Sequence, residues 1–164
     1  MRPGVGGTDL AAQGVECTVL NMSTLQPLDP EAITARGKKD TNGAVVTFLG
    51  TTRSITGDRR VLHLEYEAYL PMAEKKLAEV ADEMCAKFDV EDVAISHRLG
   101  RLEIEEISLV VAVASPHRSD AFAACQYAVD RIKQTVPIWK KEFFEGGEVW
   151  IESPEDLAAR SAPH

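Results

Sequence analysis

Hydrophobic residues recur along the chain with two periods, one typical of strands and the other of helices. Residues 44–49 form a β-rich apolar run between two glycines, which predicts a strand. Residues 61–69 alternate, with Leu62, Leu64 and Tyr66 on one face, which predicts a half-buried strand. Similar runs predict further strands at 16–25, 93–99 and 107–114, and a terminal hairpin of 138–144 with 149–152.

Two longer segments carry apolar residues at helical spacing and predict two long helices. The first opens at Pro71, and the second begins between residues 115 and 119 and is ended by Pro137. The predicted buried stripe of the second helix consists of Phe122, Cys125, Val129 and Ile132. Asp29 followed by Pro30 predicts the start of a third, short helix. Strands and helices mix without strict alternation, so the predicted class is α+β with a largely antiparallel sheet.

The length of 164 residues predicts one domain. Hydrophobic residues make up 45% and charged residues 27%, which is typical of a globular protein and excludes a disordered chain. We assign residues 16–152 to a single catalytic domain. Residues 1–15, rich in glycine, are predicted to be a flexible N-terminal segment, and residues 153–164 a polar C-terminal tail.

The charge balance excludes several function classes. With 18 basic and 26 acidic residues the net charge is −8, which disfavours binding to nucleic acids or anionic membranes. The chain has neither an apolar run of about 20 residues nor a readable signal peptide. Cys17, Cys85 and Cys125 are far apart in sequence and are predicted to be free thiols in a reducing cytoplasm. Four histidines without paired spacing indicate no metal site.

Against this acidic background, two basic clusters lie in predicted connections. The first contains Arg53, Arg59 and Arg60 and follows the strand at 44–49; Arg53 is placed to reach a cleft. The second, Ser115-Pro116-His117-Arg118-Ser119, joins a buried strand to a helix N-terminus, where backbone N–H groups attract anions. The alternative for both clusters is that the side chains are simply solvated.

The third basic cluster runs from Arg131 to Lys141 and contains no acidic residue. Crowded cations lower one another's pKa, and a lysine with a lowered pKa can act as a base or nucleophile. If 138–144 is a strand, Lys140 and Lys141 face opposite ways, so only one of them can share a site with Lys133. The alternatives are an ion pair between Lys133 and Asp130 and an exposed pair of Lys141 with Glu142.

Three other groups are interpreted as structural. Cys85 and Cys125 lie on or beside apolar helix stripes, as buried cysteines usually do. Glu65 shares a strand face with Glu67 and is assigned to a solvated sheet surface. The pair His97-Arg98 lies in a predicted strand and is interpreted as structural or as part of an interface.

Five motifs follow one another between residues 43 and 152: GAVVTFLG (43–50) followed by Arg53, YLPMAEK (69–75), HRLG (97–100), SPHR (115–118), and Lys133 with VPIWKKE (136–142). In this order and at similar spacing, they together resemble the large, catalytic subunit of molybdopterin synthase. The resemblance implies a fold of the α/β-hammerhead type. It also implies a sulfurtransferase that converts cyclic pyranopterin monophosphate into the molybdopterin dithiolene in molybdenum cofactor biosynthesis.

The resemblance further implies the partners and the site. Sulfur arrives as a thiocarboxylate on the C-terminal Gly-Gly of a small ubiquitin-like carrier subunit, and the large subunit forms a homodimer within a heterotetramer. Since the sulfur is delivered, neither a metal nor a resident cofactor is expected. By motif match, the catalytic lysines are Lys133 and Lys140, the groups that hold substrate anions are Arg53, His117 and Arg118, and Phe48 lines the pocket.

Two other interpretations stay open at this point. One is a non-catalytic module that binds a pterin or phosphate without turnover, and the other is a scaffold subunit. The enzyme interpretation predicts that the five cationic residues line one pocket, if necessary completed across a dimer interface. The scaffold interpretation predicts no such convergence.

Overall fold

The computed structural model describes residues 17–151, so the predictions for residues 1–15 and 153–164 lie outside the described part of the chain. The strands are β1 Thr18–Thr24, β2 Ala44–Thr51, β3 Ile55–Thr56, β4 Arg59–Ala68, β5 Asp92–Arg98, β6 Gly100–Glu103, β7 Ile107–Ser115, β8 Ile138–Phe144 and β9 Gly147–Ile151. The helices are α1 Pro30–Ala35, α2 Leu70–Lys87 and α3 Arg118–Thr135. This confirms the predicted α+β class with mostly antiparallel strands and two long helices. The short strands β3 and β6 were not predicted.

The first sheet has the order β1-β5-β7-β2. β1 is parallel to β5, and the other two pairings are antiparallel. α3 follows β7 after a short connection and packs on β7 and β2. Since α3 returns over β7 and β2 is antiparallel to β7, α3 runs in the same direction as β2. The C-terminal end of α3 therefore lies near the end of β2, where the Arg53 loop begins.

The second sheet has the order β3-β4-β8-β9, with β6 also paired to β4. A register shift between Val61 and His63 interrupts the alternation of β4. Val61 and Leu64 are both buried, whereas Leu62 is 46% exposed. The prediction that Leu62 shares a buried face with Leu64 is therefore wrong, because Leu62 is itself the extra residue of a β-bulge.

The main core lies between the first sheet and the two long helices. α2 contributes Leu77, Val80 and Met84, which pack with the sheet residues Val93 and Val111. α3 buries small residues together with two larger ones: Ala121, Ala124, Cys125, Ala128 and Ile132. Alanine on this face lets the helix approach the sheet closely. The predicted stripe is wrong at Phe122, which is 62% exposed at the edge of the helix.

On the opposite face of the first sheet, α1 packs through Ile33 against Ala94, Val110 and Ala112. Its N-cap is Asp29, which accepts hydrogen bonds from two backbone amides of the first turn, as predicted. None of the helices within residues 17–151 is long and apolar enough to cross a membrane.

The structure joins Cys17 and Cys85 in a disulfide, which corrects the prediction of three free thiols. Cys17 immediately precedes β1, and β1 packs against α2, which carries Cys85. A separation of 68 residues concealed this proximity in the sequence. Cys125 is free and buried, and burial raises the pKa of its thiol to about 11. Such a thiol is not a ready nucleophile.

Candidate active site

Lys140 is the centre of a group of three positive side chains. It lies half-buried on β8. Burial lowers the pKa of Lys140 below its ordinary value of 10.5, the Glu142 carboxylate opposes this, and the charges of Arg53 and Lys133 lower it further. Salt screens such effects beyond about 10 Å, so Arg53 and the end of α3 lie near Lys140.

Lys141 belongs to the other face of β8. Its Nζ lies 3.0 Å from Glu148 Oε1 and also sits over the rings of Phe143 and Trp150. The predicted opposite orientation of Lys140 and Lys141 is confirmed. The two alternative pairings, Lys133 with Asp130 and Lys141 with Glu142, are not observed within residues 17–151. Glu142 pairs with Arg59 instead, and Asp130 accepts hydrogen bonds from Gln126.

Glu142 is almost fully buried beside Lys140, on the same face of β8. The Thr56 hydroxyl donates to Glu142 Oε2 at 3.0 Å, and Arg59 Nη2 lies 3.5 Å from Oε1. Both partners belong to the β3–β4 hairpin, which continues directly from the Arg53 loop. A buried carboxylate requires such partners, so Glu142 fastens this hairpin onto β8.

Tyr66 lies opposite Lys140 in the β4–β8 pairing. Burial raises the pKa of Tyr66, and a hydrogen bond with the Ser108 side chain partly offsets this. Ser108 Oγ in turn donates to the carbonyl oxygen of Gly50 at 3.2 Å. The Tyr66 ring also meets His97 edge to face, with centroids 5.1 Å apart. These contacts connect β4, whose Tyr66 lies opposite Lys140, to the end of β2.

The end of β2 is irregular where it leads into Arg53. The register with β7 shifts between Gly50 and Thr51, which leaves Ser108 as the extra residue of a β-bulge. Thr52 is 4% exposed, whereas Arg53 is exposed. Bulges of this kind redirect side chains at the rims of sheets, and here the redirected segment leads into Arg53, whose charge acts on Lys140.

An open groove of about 240 Å³ lies between β2 and α3. Its lining consists of Val46, Thr47, Phe48, Phe122, Cys125, Gln126 and Val129. Phe48, the predicted pocket residue, therefore lies in a mainly apolar depression. Phe122, Gln126 and Val129 recur at helical spacing, and one further turn along the same stripe brings Lys133 to the end of this groove.

His117 and Arg118 lie at the opposite end of α3. Both are exposed, and His117 is the N-cap residue. Its backbone amide donates to Ser115 Oγ at 3.1 Å. The 18 residues of α3 span about 27 Å, so within one chain His117 and Arg118 lie far from Lys133. The five cationic residues therefore do not line one pocket within a single chain.

Two further basic residues of the predicted clusters, Arg59 and Arg131, have local partners. Arg131 forms an ion pair with Glu83 on α2, with Nε 3.2 Å from Oε2, and its guanidinium is thereby turned toward the helix pair. Arg59 forms an ion pair with Glu142. Residues 17–151 contain no group of three or more His, Cys, Asp or Glu side chains arranged for a metal ion. The cluster of Arg53, Lys133 and Lys140 can bind an anion and present a lysine that releases its proton more easily than usual.

Sequence reasoning missed Glu142, Tyr66, Ser108 and Thr52. A signal existed for Glu142, because strand alternation puts it on the same face as Lys140. The alternative interpretation of Glu142 was an exposed pair with Lys141. Ser108 and Thr52 act through a bulge and a turn between distant segments, and nothing local in the sequence marks them.

Comparisons with known proteins identify the family to which this chain belongs. The family model for the MoaE protein matches residues 23–135. The molybdopterin synthase catalytic subunit of Halalkalibacterium halodurans is 52% identical over 109 residues, covering 66% of this chain and 70% of that protein. The crystal structure of molybdopterin synthase from Staphylococcus aureus superposes with a TM-score of 0.76 at 44% identity, covering 79% of this chain and 95% of that one.

A more distant structure, the complex of subunits 1 and 2 of molybdopterin-converting factor from Helicobacter pylori, shares the fold. Its TM-score is 0.66 at 17% identity, over 83% of this chain and 91% of that one. The family match covers well over half of the chain, and the relatives above 40% identity agree on one description. The chain therefore belongs to the MoaE family of molybdopterin synthase catalytic subunits.

Proposed function

We propose that this chain transfers sulfur from the thiocarboxylated C-terminus of a small carrier subunit to cyclic pyranopterin monophosphate, forming the molybdopterin dithiolene. The observation that carries the proposal is the environment of Lys140, a half-buried lysine whose pKa is lowered beside Arg53 and Lys133. The substrate is an anionic phosphate ester, and this cationic cluster stands out in a chain of net charge −8.

The exposure and neighbouring charges of each residue determine the role that we assign to it. Arg53 is exposed and permanently charged, so it is suited to hold the substrate phosphate. Lys140 is the better candidate for proton transfer, because burial and neighbouring cations favour its neutral amine. Lys133, which is exposed at the end of α3, stabilises negative charge that develops on the acyl–sulfur intermediate. Phe48 provides an apolar surface for the pterin ring.

The chemistry needs no protein thiol. The thiocarboxylate sulfur attacks a carbon of the pterin side chain, so that a carbon–sulfur bond forms while a carbon–oxygen bond at that carbon breaks, and the departing oxygen leaves on the phosphate or as water. Water then attacks the acyl carbon, the acyl–sulfur bond breaks, and the carrier leaves with a carboxylate terminus. Lys140 accepts the proton that water gives up. The buried Cys125, whose pKa is raised to about 11, takes no part.

We further propose that a homodimer completes the site, within a heterotetramer that includes one carrier at each end. β2 is an edge strand, and the groove beside it is lined by α3 residues from Phe122 to Val129, which lie between the His117 end and the Lys133 end of that helix. A two-fold axis across this groove brings His117 and Arg118 of one subunit to the Lys133 end of the other. The five predicted cationic residues then contribute to one pocket.

A cytoplasmic location is part of the proposal, because a thiocarboxylate sulfur persists best in a reducing compartment. The Cys17–Cys85 disulfide stands against this location. Trapping the thiols of the protein inside cells with an alkylating reagent decides the question. Three modified cysteines support the cytoplasmic location, and one modified cysteine contradicts it.

The proposed reaction is tested by incubating the purified chain with cyclic pyranopterin monophosphate and a small subunit that carries a C-terminal Gly-Gly thiocarboxylate. We expect molybdopterin to form and mass spectrometry to show two carriers converted to the carboxylate per product. The matched control is the same carrier with an ordinary carboxylate, which should give no product. Tight binding of the cyclic pterin without turnover would instead identify a non-catalytic binding module.

A further inference from the structure

The His97-Arg98 pair has no place in the proposed chemistry, yet Arg98 is held firmly. It is the last residue of β5, and its side chain is 12% exposed. Nη1 donates to Glu106 Oε2 at 2.6 Å, and Nη2 donates to the carbonyl oxygen of Arg101 at 3.4 Å. A short, charge-assisted bond from a nearly buried guanidinium is stronger than an ordinary surface ion pair. Arg98 therefore fixes the position of Glu106.

Glu106 in turn closes the turn between β6 and β7. Its second carboxylate oxygen, Oε1, accepts from the backbone amide of Glu103 at 2.9 Å, and its own amide donates to the Glu103 carbonyl at 3.1 Å. Glu105 inside this turn has φ +76°, a left-handed conformation that is unfavourable for a residue other than glycine. The Arg98–Glu106 pair thus holds a turn that its sequence does not favour.

This turn holds Thr52, the residue before Arg53. The Thr52 amide donates to the Glu106 carbonyl at 3.0 Å, and the Thr52 hydroxyl donates to the same oxygen at 3.2 Å. The Glu105 amide donates to the Thr52 carbonyl at 2.9 Å. Three hydrogen bonds therefore fasten one buried residue to the turn. The direction in which the next residue leaves the sheet is set by these bonds.

Arg53 needs such an anchor because its own surroundings repel it. Its charge lies close enough to Lys140 and Lys133 to influence Lys140. An exposed arginine on an unrestrained loop would turn away from two other cations. Because the backbone is fixed at Thr52, Arg53 stays near Lys140 and Lys133 before the anionic substrate binds. The Arg98–Glu106 bond holds the other side of the turn to which Thr52 is bonded.

We propose that Arg98 is a positioning residue that acts through Glu106 and Thr52 to hold Arg53 toward Lys140, where Arg53 receives the anionic group of the substrate. The inference rests on the proposed function, in which Arg53 binds that group. It assigns a role to the HRLG motif without placing Arg98 in contact with substrate.

Two variants weaken the link at different points, Arg98→Met and Glu106→Gln. We expect each to raise the KM for cyclic pyranopterin monophosphate between about 10- and 100-fold, with a much smaller change in kcat. Glu106→Gln keeps the shape of the side chain, so it serves if Arg98→Met fails to fold. The matched control is Arg101→Ala, which removes an exposed ion pair with Glu103 on the same turn and should leave KM unchanged.

The decisive readout is a double-mutant cycle with Arg53→Ala. If Arg98 acts through Arg53, then adding Arg98→Met or Glu106→Gln to Arg53→Ala should cause no further rise in KM. A merely structural role predicts that the two losses multiply, and that result overturns the inference. So does a wild-type KM in the single variants. Failure of the proposed function is distinguishable, because the wild-type protein would then form no molybdopterin with the thiocarboxylated carrier.

Discussion

Lys140 on β8 lies directly across the strand pair from Tyr66 on β4, and the Tyr66 side chain is hydrogen-bonded to Ser108. Ser108 also bonds to the carbonyl of Gly50 at the end of β2. The half-buried lysine and the start of the Arg53 loop are thus linked through two hydroxyl groups. Contacts from both sheets therefore hold this site together, although its three cationic side chains, Arg53, Lys133 and Lys140, repel one another.

The first prediction concerns the Tyr66 hydroxyl. Tyr66→Phe keeps the ring against His97 but leaves Ser108 without one of its partners. We expect the free energy of unfolding to fall by about 0.5–1.5 kcal/mol and the turnover to fall with it. Urea denaturation and the sulfur-transfer assay measure the two effects. Tyr69→Phe is the matched control, since Tyr69 is 63% exposed and should change neither quantity. An unchanged stability in Tyr66→Phe contradicts the role of the hydroxyl.

The second prediction concerns His97. Burial lowers its pKa from 6.5 to about 4, with the Arg98 carbonyl, which accepts from Nδ1, acting in the opposite direction. At pH values between about 4 and 6.5, His97 therefore carries a proton in the unfolded chain but not in the folded chain. Stability should fall as the pH drops from about 6.5 toward 4, by up to about 3 kcal/mol. Unfolding of the wild type and of His97→Phe across this range measures the difference, and identical pH slopes would contradict the assignment.

The third prediction concerns the cysteines. Replacing Cys17 and Cys85 by alanine removes a cross-link between positions 68 residues apart and should lower stability by about 2–4 kcal/mol. Sulfur transfer by the folded variant should continue at a rate close to that of the wild type. Cys125→Ala should also remain active. Loss of turnover in a folded cysteine variant would indicate a persulfide intermediate and would exclude the direct thiocarboxylate route.

The fourth prediction tests whether two subunits share a site. His117→Ala and Lys133→Ala should each be inactive, but mixing them with subunit exchange should restore about a quarter of the sites, because half of the dimers then carry one intact pocket. The matched control mixes Lys133→Ala with Lys140→Ala. Both of these residues come from the same chain, so no site is restored. Recovery in both mixtures, or in neither, contradicts a pocket shared across the two-fold axis.

Much of the fold could be predicted because the signals are local. The strand at β2, the capped start of α1 and the glycine turn of the terminal hairpin depend on neighbours in sequence. Gly146, with φ +96°, adopts the left-handed conformation that such a turn requires. The alternation of Lys140 and Lys141 was likewise predictable, because it follows from the geometry of any strand.

The errors share a physical cause, which is contact between distant segments. A bulge in β4 exposes Leu62. Close packing of α3 on the sheet is achieved by alanines, and this turns Phe122 outward. The disulfide depends on β1 lying beside α2. None of these is encoded by a short motif, so hydrophobic periodicity alone could not reveal them.

The site was predictable only in part, for a related reason. The predicted bounds of the second long helix already put His117 and Lys133 near its opposite ends, but nothing in the chain order shows whether a second subunit brings these two residues together. Basic composition identified the candidate residues, but the burial that distinguishes Lys140 arises from packing of β8 against β4.

The most direct test of the central claim compares two adjacent lysines in the sulfur-transfer assay. Lys140→Ala removes the half-buried amine beside Arg53 and Lys133, whereas Lys141→Ala removes a lysine that pairs with Glu148 on the other face of β8. With thiocarboxylated carrier and cyclic pyranopterin monophosphate, we expect Lys140→Ala to form molybdopterin at least about 100-fold more slowly than the wild type. Lys141→Ala should remain close to the wild-type rate. Equal rates for the two variants, or a fully active Lys140→Ala, would contradict the account.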